Sequence, residues 1–191
     1  MTPRKPTVAV IGDGACGPQD PRNALAEQTG RSLIDAGYRL MTGGLGGIME
    51  AACRGARASA AHTTGDIIGI LPGTDPADAN PYVDIVVPTG LDHGRNMIVA
   101  QADAVIAIGG GAGTMAELAF AWIYKRLIVA FRVAGFSGRV ADSRLDDRIR
   151  YPSLPDDKVF GADTAEEAIA VLQEKLAAYN GRHHGVRRRS P

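Results

Sequence analysis

The sequence predicts an α/β protein with three layers: a mostly parallel sheet of six or seven strands between helices on both faces. Three observations support this fold class. Short apolar runs alternate with amphipathic or alanine-rich segments along most of the 191 residues. The runs are nearly continuous, which is typical of strands buried on both faces of a sheet. Glycine clusters follow three of the runs and precede predicted helices, and strands that alternate with helices form parallel sheets.

The first half of the chain contains four predicted strands. The first strand (TVAVI) is followed by a helix that begins after Asp20, because aspartate is a good N-cap and Pro21 fits the first helical position. Gly37 suits the C-terminal end of this helix. The predicted strands are residues 7–11, 38–41, 66–71 and 84–87, and an alanine-rich helix covers residues 46–60.

The second half continues the alternation and then loses it. Helices are predicted at residues 91–102 and 113–125, and strands at residues 104–108 and 127–131. Periodicity fades over residues 132–161, which we therefore predict to be loop with little regular structure. The last helix is well marked, because Thr164 and Glu167 form a capping box ahead of an apolar face.

Length and charge predict one domain at residues 1–181 and a basic tail at residues 182–191. About 150 residues per domain is the usual expectation. Four of the 21 basic residues lie in the tail, so the rest of the chain is slightly acidic, which argues against a nucleic-acid surface. A short basic end is usually solvated and disordered.

The composition excludes several other classes of protein. Charged residues at 22% and hydrophobic residues at 45% are ordinary for a globular chain. No apolar run approaches the ~20 residues that span a bilayer, and the N-terminus lacks a signal-peptide core, so we expect a cytoplasmic protein without a membrane partner. Cys16 and Cys53 form no zinc or disulfide pattern, and His62 and His93 are isolated, so no metal site is expected.

The 24 glycines carry the functional signal, in clusters at residues 12–17, 43–47 and 109–113. In parallel α/β sheets, ligands bind beyond the carboxyl ends of the strands, where these clusters fall. Glycine permits close backbone approach, and the following helix offers free N–H groups and the positive end of its dipole to an anion such as phosphate. Tight strand-to-helix turns are the alternative explanation.

The predicted ligand-binding residues come from these clusters and their neighbours. The strongest segment is IGGGAGTMAE, residues 108–117, in which Thr114 adds a hydroxyl donor. The first cluster has GxGxxG spacing, but Pro18 follows at once, so that fingerprint is weak. The set is Gly12, Gly14, Gly43, Gly44, Gly46, Gly47, Asn96, Gly109, Gly110, Gly111, Gly113 and Thr114.

The motifs resemble those of the Lonely Guy family, nucleotide-binding proteins with a modified Rossmann fold. GGGAGTMAE resembles the family signature PGGxGTxxE, and residues 42–50 (TGGLGGIME) resemble its second glycine loop. ILPG at residues 70–73 resembles the end of its third strand. Arg95 and Asn96 lie where the family carries an Arg-Lys pair. The resemblance covers about residues 7–131.

The resemblance implies a nucleoside 5′-monophosphate phosphoribohydrolase, which releases a free base and ribose 5-phosphate without a cofactor. Arg95 and Glu117 would be the catalytic pair. A carboxylate can stabilise the oxocarbenium-like state of glycosidic cleavage, and an arginine can bind ligand oxygens bidentately. The alternatives are a surface salt bridge for Arg95 and a carboxylate that complements the helix dipole for Glu117.

The family resemblance also implies a homodimer or a higher homo-oligomer. The apolar helix predicted around residues 112–123, with Phe120 and Trp122, is a candidate contact face. Core packing explains the same apolar residues equally well.

Three departures from the family pattern resemble a sister branch. Ile108 replaces proline, Leu118 replaces a second glutamate, and Asn96 replaces lysine. The sister branch includes the molybdenum cofactor carrier proteins, which implies a non-catalytic carrier or sensor of a phosphorylated cofactor such as molybdenum cofactor. The older family label, lysine decarboxylase, is excluded, because that reaction needs a lysine bound to pyridoxal phosphate and no lysine follows a cofactor-like loop.

Overall fold

The computed structural model describes residues 4–181, so the predicted basic tail lies outside the described residues. Within this range the strands are β1 (Thr7–Gly12), β2 (Arg39–Thr42), β3 (Ile67–Leu71), β4 (Ile85–Pro88), β5 (Ala104–Ile108), β6 (Leu127–Phe131) and β7 (Val159–Ala162). They form one sheet in the order β4-β3-β2-β1-β5-β6-β7. Every neighbouring pair is parallel.

Helices cover both faces of the sheet. They are α1 (Pro21–Asp35), α2 (Ile48–Arg57), α3 (Asn96–Val99), α4 (Ala112–Ile123), α5 (Phe136–Val140) and α6 (Ala165–Lys175). Because successive strand residues point to opposite faces, Val8 and Val10 pack with α1, α2 and α6, whereas Ala9 and Ile11 pack with α3, α4 and α5. The predicted three-layer α/β fold is confirmed. None of the helices in the described part of the chain is long and apolar enough to cross a membrane.

The predicted helix ends agree with the local hydrogen bonds. Asp20 caps α1 by accepting from the Arg22 N–H at 2.9 Å. At the other end, Gly37 has a φ of 84° and its N–H donates to the Ile34 carbonyl at 2.9 Å, which is the geometry of a glycine-terminated helix. Thr164 caps α6 by accepting from the Glu167 N–H at 3.2 Å.

Two predicted segments are wrong in detail. The helix predicted at residues 91–102 is a 3₁₀ turn, Asp92–Arg95, followed by the single turn of α3. Asp92 has a φ of 49°, which a regular right-handed helix does not allow. The segment predicted as loop, residues 132–161, contains α5 and most of β7. Each element has only four or five residues, too few to show a sequence period.

The strand order places two glycine clusters side by side. The chain moves outward from β1 through β2, β3 and β4, and then returns to the other side of β1 with β5. The carboxyl ends of β1 and β5 meet at this switch point, where Gly12 pairs with Ile108. Ligands of open α/β sheets bind in the crevice at such a point.

Candidate functional site

A glycine loop, residues 109–113, leads from β5 into α4 at the switch point. Gly109 and Gly110 have φ values of 64° and 85°, which lie in a backbone region that residues with a Cβ rarely adopt. A Cβ at Gly110 would also lie 2.1 Å from the Oγ1 of Thr114, so Thr114 packs directly against the loop. The sequence therefore needs glycine here for the backbone path itself.

Gly111 and Gly113 differ from the other loop glycines, because packing does not explain them. Apart from the adjoining residues and the backbone of α4 itself, no atom of the described residues lies within 4 Å of a Cβ built at either position. Gly111 is the N-cap of α4, and within the described chain no side chain caps this helix end. The loop thus presents an open surface at a helix N-terminus, where backbone N–H groups and the helix dipole favour an anion.

Ser137 anchors the glycine loop to the end of β6 through hydrogen bonds. Its fully buried Oγ accepts from the Gly109 N–H at 2.7 Å and donates to the Phe131 carbonyl at 2.8 Å. The backbone N–H of Phe136 donates to the Gly110 carbonyl at 2.8 Å. Ser137 is not among the residues predicted from the sequence, because its segment lacks periodicity. The available signal was GFS, residues 135–137, shortly after a buried strand.

Gly12 of the first glycine cluster and Gly47 of the second are explained by contacts within the protein. A Cβ at Gly12 would lie 2.3 Å from the Ile108 carbonyl oxygen. Gly47 has a φ of 65°, and a Cβ there would lie 2.3 Å from the Asp13 carbonyl oxygen. Gly14 and Gly46 have looser surroundings, with nearest atoms 3.5 Å and 3.7 Å from a Cβ. Gly12 and Gly47 therefore bring the ends of β1, β5 and α2 together.

Arg95 and Glu117, which the family resemblance implies as a catalytic pair, lie next to each other and are buried. Arg95 Nη1 lies 3.5 Å from Glu117 Oε1, and the residues are 9% and 6% exposed. The pair joins the 3₁₀ turn before α3 to the second turn of α4. Gly43, at the end of β2, lies against the guanidinium. Because Arg95 is buried, a salt bridge on the surface does not describe it.

Burial shifts the protonation of both members of this pair. Burial raises the pKa of Glu117 to about 7, and the charge of Arg95 opposes the shift. Burial also lowers the pKa of Arg95, against the opposing effect of Glu117. The separation of 3.5 Å is too long for a strong hydrogen bond. Glu117 can therefore hold or release a proton near neutral pH, a property concentrated at functional sites.

The second glycine loop is fixed by Asn80, which the sequence analysis did not identify. Gly44 has a φ of 75°. The amide of Asn80 donates to the carbonyls of Gly44 at 3.1 Å and Leu45 at 3.0 Å. Asn96 is 4% exposed at the start of α3. Beside this loop lies a groove of about 650 Å³, lined by Leu45, Pro72, Gly73, Thr74, Asp78, Gly90 and Asp92.

The structure brings the predicted site residues to one edge of the sheet. Gly109–Thr114 and Glu117 lie at the β5–α4 junction, and Arg95 reaches that junction across Gly43. No group of three or more His, Cys, Asp or Glu side chains within residues 4–181 could hold a metal ion. A parallel sheet with covered faces and a glycine loop at its switch point defines the class: a Rossmann-like α/β protein.

Within that class the chain belongs to the SLOG cluster4 family, whose model matches residues 5–169. The superfamily expected from the motifs is confirmed. A relative from Archaeoglobus fulgidus, an uncharacterized protein, is 37% identical over 115 residues, which are 60% of this chain and 72% of that protein.

The fold of this chain is also similar to two solved structures of proteins named for molybdenum cofactor binding or carriage. The molybdenum cofactor binding protein from the phototrophic bacterium Rippkaea orientalis is 30% identical, with a TM-score of 0.71, over 89% of this chain and 96% of that one. The molybdenum cofactor carrier protein MCP from Chlamydomonas reinhardtii is 30% identical, with a TM-score of 0.70, over 92% of this chain and 99% of that one.

Proposed function

We propose that this protein binds a small phosphorylated, nucleotide-like cofactor at the carboxyl edge of its sheet. The observation that carries the proposal is the open glycine loop at the uncapped N-terminus of α4. A phosphoryl group there would accept N–H donors from the loop and interact with the positive end of a twelve-residue helix. The similarity to proteins named for molybdenum cofactor binding and carriage supports a ligand of this kind.

Carriage of a phosphorylated pterin-like cofactor such as molybdenum cofactor is the function that we favour. Leu118 supports it, because this position carries a carboxylate in the related hydrolases. Here Leu118 is fully buried and packs into the core between α4 and the sheet. The loop, Asn96 and the groove beside Gly44 offer donors and acceptors to such a ligand. In a carrier, Arg95 and Glu117 would bind polar groups of the cofactor without bond cleavage.

Hydrolysis of a nucleoside 5′-monophosphate is the second candidate, and the buried Arg95–Glu117 pair favours it. Thr114 and Glu117 are three residues apart on α4, so they share a face of the helix. A ligand with its phosphoryl group at Thr114 would direct its sugar toward Glu117. Ionised Glu117 would stabilise positive charge at C1′ as the N-glycosidic bond breaks, and it would orient the water whose oxygen bonds to C1′. The base takes up a proton from solvent as it leaves, and the proton lost by the attacking water balances it. Arg95 would orient Glu117 and bind ribose oxygens.

We also propose that a second copy of the chain packs on α4. Glu117 is the single charged residue in the sequence of this helix, and it is buried. The outer face instead presents Met115, 47% exposed, and Ile123, 40% exposed, and Met97, 40% exposed, belongs to α3, which packs against α4. A helix that is apolar on all sides is normally buried on all sides.

Trp122 does not belong to this contact face, contrary to one reading of the sequence. It is 3% exposed, and its Nε1 donates to Asp146 at 2.9 Å. The guanidinium of Arg150 lies 3.6 Å from the centre of the Trp122 ring. Core packing therefore accounts for Trp122.

A turnover assay with a binding readout separates the two candidate functions. Purified protein is incubated with a panel of nucleoside 5′-monophosphates, and free base and ribose 5-phosphate are followed by chromatography, with Glu117→Gln as the control. Base release that disappears in Glu117→Gln supports the hydrolase. Thermal stabilisation by phosphorylated ligands without base release supports the carrier. If the protein shows no thermal stabilisation by phosphorylated ligands and releases no base, the proposed function is contradicted.

A further inference from the structure

We propose that Arg22 is a second ligand-binding residue, whose guanidinium binds the phosphoryl group held on the glycine loop. The inference rests on the proposed phosphate site and deepens it, because it names a cation that selects phosphorylated over unphosphorylated ligands. No sequence motif identifies Arg22, which belongs to the first turn of α1.

The position of Arg22 is the first argument. Its Nη1 lies 2.7 Å from a Cβ built on Gly109, so the guanidinium lies directly against the glycine loop. The same atom is 3.3 Å from the Ala134 carbonyl oxygen and 3.6 Å from Asp13 Oδ2. One side chain thus reaches the loops that follow β1, β5 and β6. These loops surround the switch-point crevice, in which a ligand of this fold class binds.

The hydrogen bonds of Arg22 are the second argument. Asp20 accepts from Nε at 2.9 Å and also from Nη2, which fixes the plane of the guanidinium. Within residues 4–181, the polar contacts of Nη1 are the two longer ones, with Ala134 and Asp13. The pairing with Asp20 also raises the pKa of Arg22, so the side chain stays charged. A fixed, charged guanidinium whose Nη1 has only weak contacts among the described residues is well suited to bind a phosphoryl oxygen.

The local charge is the third argument. Asp13 and Asp20 place two carboxylates beside the glycine loop, and Arg22 is in contact with both. Asp13 also accepts from the Ala15 N–H at 3.0 Å. Without Arg22, these carboxylates would repel a phosphoryl dianion that approaches the loop. With Arg22 present, the phosphoryl group can replace the 3.6 Å contact with Asp13.

Arg22 and Arg95 would then serve different parts of the ligand. Arg95 is buried between Gly43 and Glu117, whereas 20% of the Arg22 side chain is exposed. Arg95 thus acts on the part of the ligand near Glu117, and Arg22 acts on the phosphoryl end.

The test compares Arg22→Gln and Arg22→Lys with the wild type by titration calorimetry. The probes are adenosine 5′-monophosphate and adenosine, which differ only in the phosphoryl group. Arg139→Gln is the matched control, because Arg139 is an exposed arginine of the neighbouring α5. We expect Arg22→Gln to weaken binding of the monophosphate at least tenfold, with adenosine binding and the unliganded melting temperature unchanged. Arg22→Lys should weaken it less, and Arg139→Gln less than twofold.

The outcomes separate this inference from the proposed function. If the wild type binds no phosphorylated probe, the phosphate site is refuted and Arg22 has no role in it. If the wild type binds the monophosphate and Arg22→Gln binds it equally well, the inference about Arg22 alone is overturned. Equal losses for the monophosphate and adenosine would show that Arg22 only holds the loops. Should Arg22→Gln fail to fold, Arg22→Lys decides, and unchanged affinity for the monophosphate would overturn the inference.

Discussion

Gly43 lies so close to Arg95 that a Cβ at residue 43 would be 2.1 Å from Arg95 Nη1. This contact links the second glycine cluster to the buried pair. The glycine at the end of β2 leaves the space in which the guanidinium crosses toward Glu117. A glycine that sequence analysis assigns to ligand binding thus has a structural partner within the chain.

Gly43→Ala should displace the Arg95 guanidinium from Glu117. We expect ligand affinity or turnover to fall at least tenfold and the free energy of unfolding to fall by about 1–3 kcal/mol, the usual cost of overpacking. Calorimetry and denaturant unfolding measure the two effects. Gly17→Ala is the control, because no described atom lies within 4 Å of a Cβ there. Equal affinities of Gly43→Ala and wild type would show that the contact has no role in binding.

Ser137→Ala should destabilise the protein and loosen the glycine loop. The substitution removes the acceptor of the Gly109 N–H and the donor to the Phe131 carbonyl. The Phe131 carbonyl keeps the Val133 N–H as a donor at 2.8 Å, but leaving the buried Gly109 N–H unsatisfied costs about 1–3 kcal/mol, which denaturant unfolding would detect. Ser143→Ala is a matched control, because the Ser143 hydroxyl makes a local bond, to the Val140 carbonyl at 2.7 Å, three residues earlier in the chain. A loss no larger than that of the control would contradict the role given to Ser137.

The raised pKa of Glu117 predicts how stability depends on pH. The folded protein holds this proton up to a pKa of about 7, above the ordinary value of 4.5, so the folded state binds more protons than the unfolded state between these pH values. Stability should therefore fall as the pH rises from about 4.5 to 7. Unfolding of wild type and Glu117→Gln across this window measures the difference. The slope attributable to Glu117 should disappear in the variant, and identical slopes would refute the shifted pKa.

A charge on the outer face of α4 should prevent self-association. Met115→Glu and Ile123→Glu each place a carboxylate on a face that we propose to be covered by a second copy. We expect sedimentation velocity to show an oligomer for the wild type and a monomer for either variant. Ile85→Glu is the control, because Ile85 is 44% exposed on β4, the edge strand farthest from β6 and β7. A monomeric wild type would contradict the proposed assembly.

The sheet could be predicted well from the sequence, because its central strands are buried on both faces. The bounds of β5 and β6 match the predicted residues 104–108 and 127–131, where every side chain is buried. β7 could not be predicted, because it is an edge strand of only four residues. It follows a long segment without a clear sequence period that separates it from its partner β6. The helix predicted at residues 91–102 is interrupted by the positive φ of Asp92, which the pattern of apolar residues does not indicate.

The candidate site could be predicted only where a motif or a resemblance marks it. The glycine cluster after an apolar run predicts the loop at residues 109–113, and the family resemblance indicates Arg95 and Glu117. Arg22 and Ser137 both contact Gly109, which lies 87 and 28 positions away from them along the chain. Such contacts arise from strand order, which the residues around Arg22 and Ser137 do not specify.

The most direct test of the central claim uses Gly113, which lies in the first turn of α4 and faces open space among the described residues. Gly113→Leu adds a side chain to the surface that should receive the phosphoryl group, and leucine favours a helix more than glycine does. Ala170→Leu, an exposed site on α6, is the control. The melting temperature is measured with and without phosphorylated ligands. The proposed site predicts that ligand stabilises the wild type and Ala170→Leu, whereas Gly113→Leu keeps its unliganded stability and gains nothing from ligand. Equal ligand stabilisation of Gly113→Leu and wild type would contradict a phosphate site on the glycine loop.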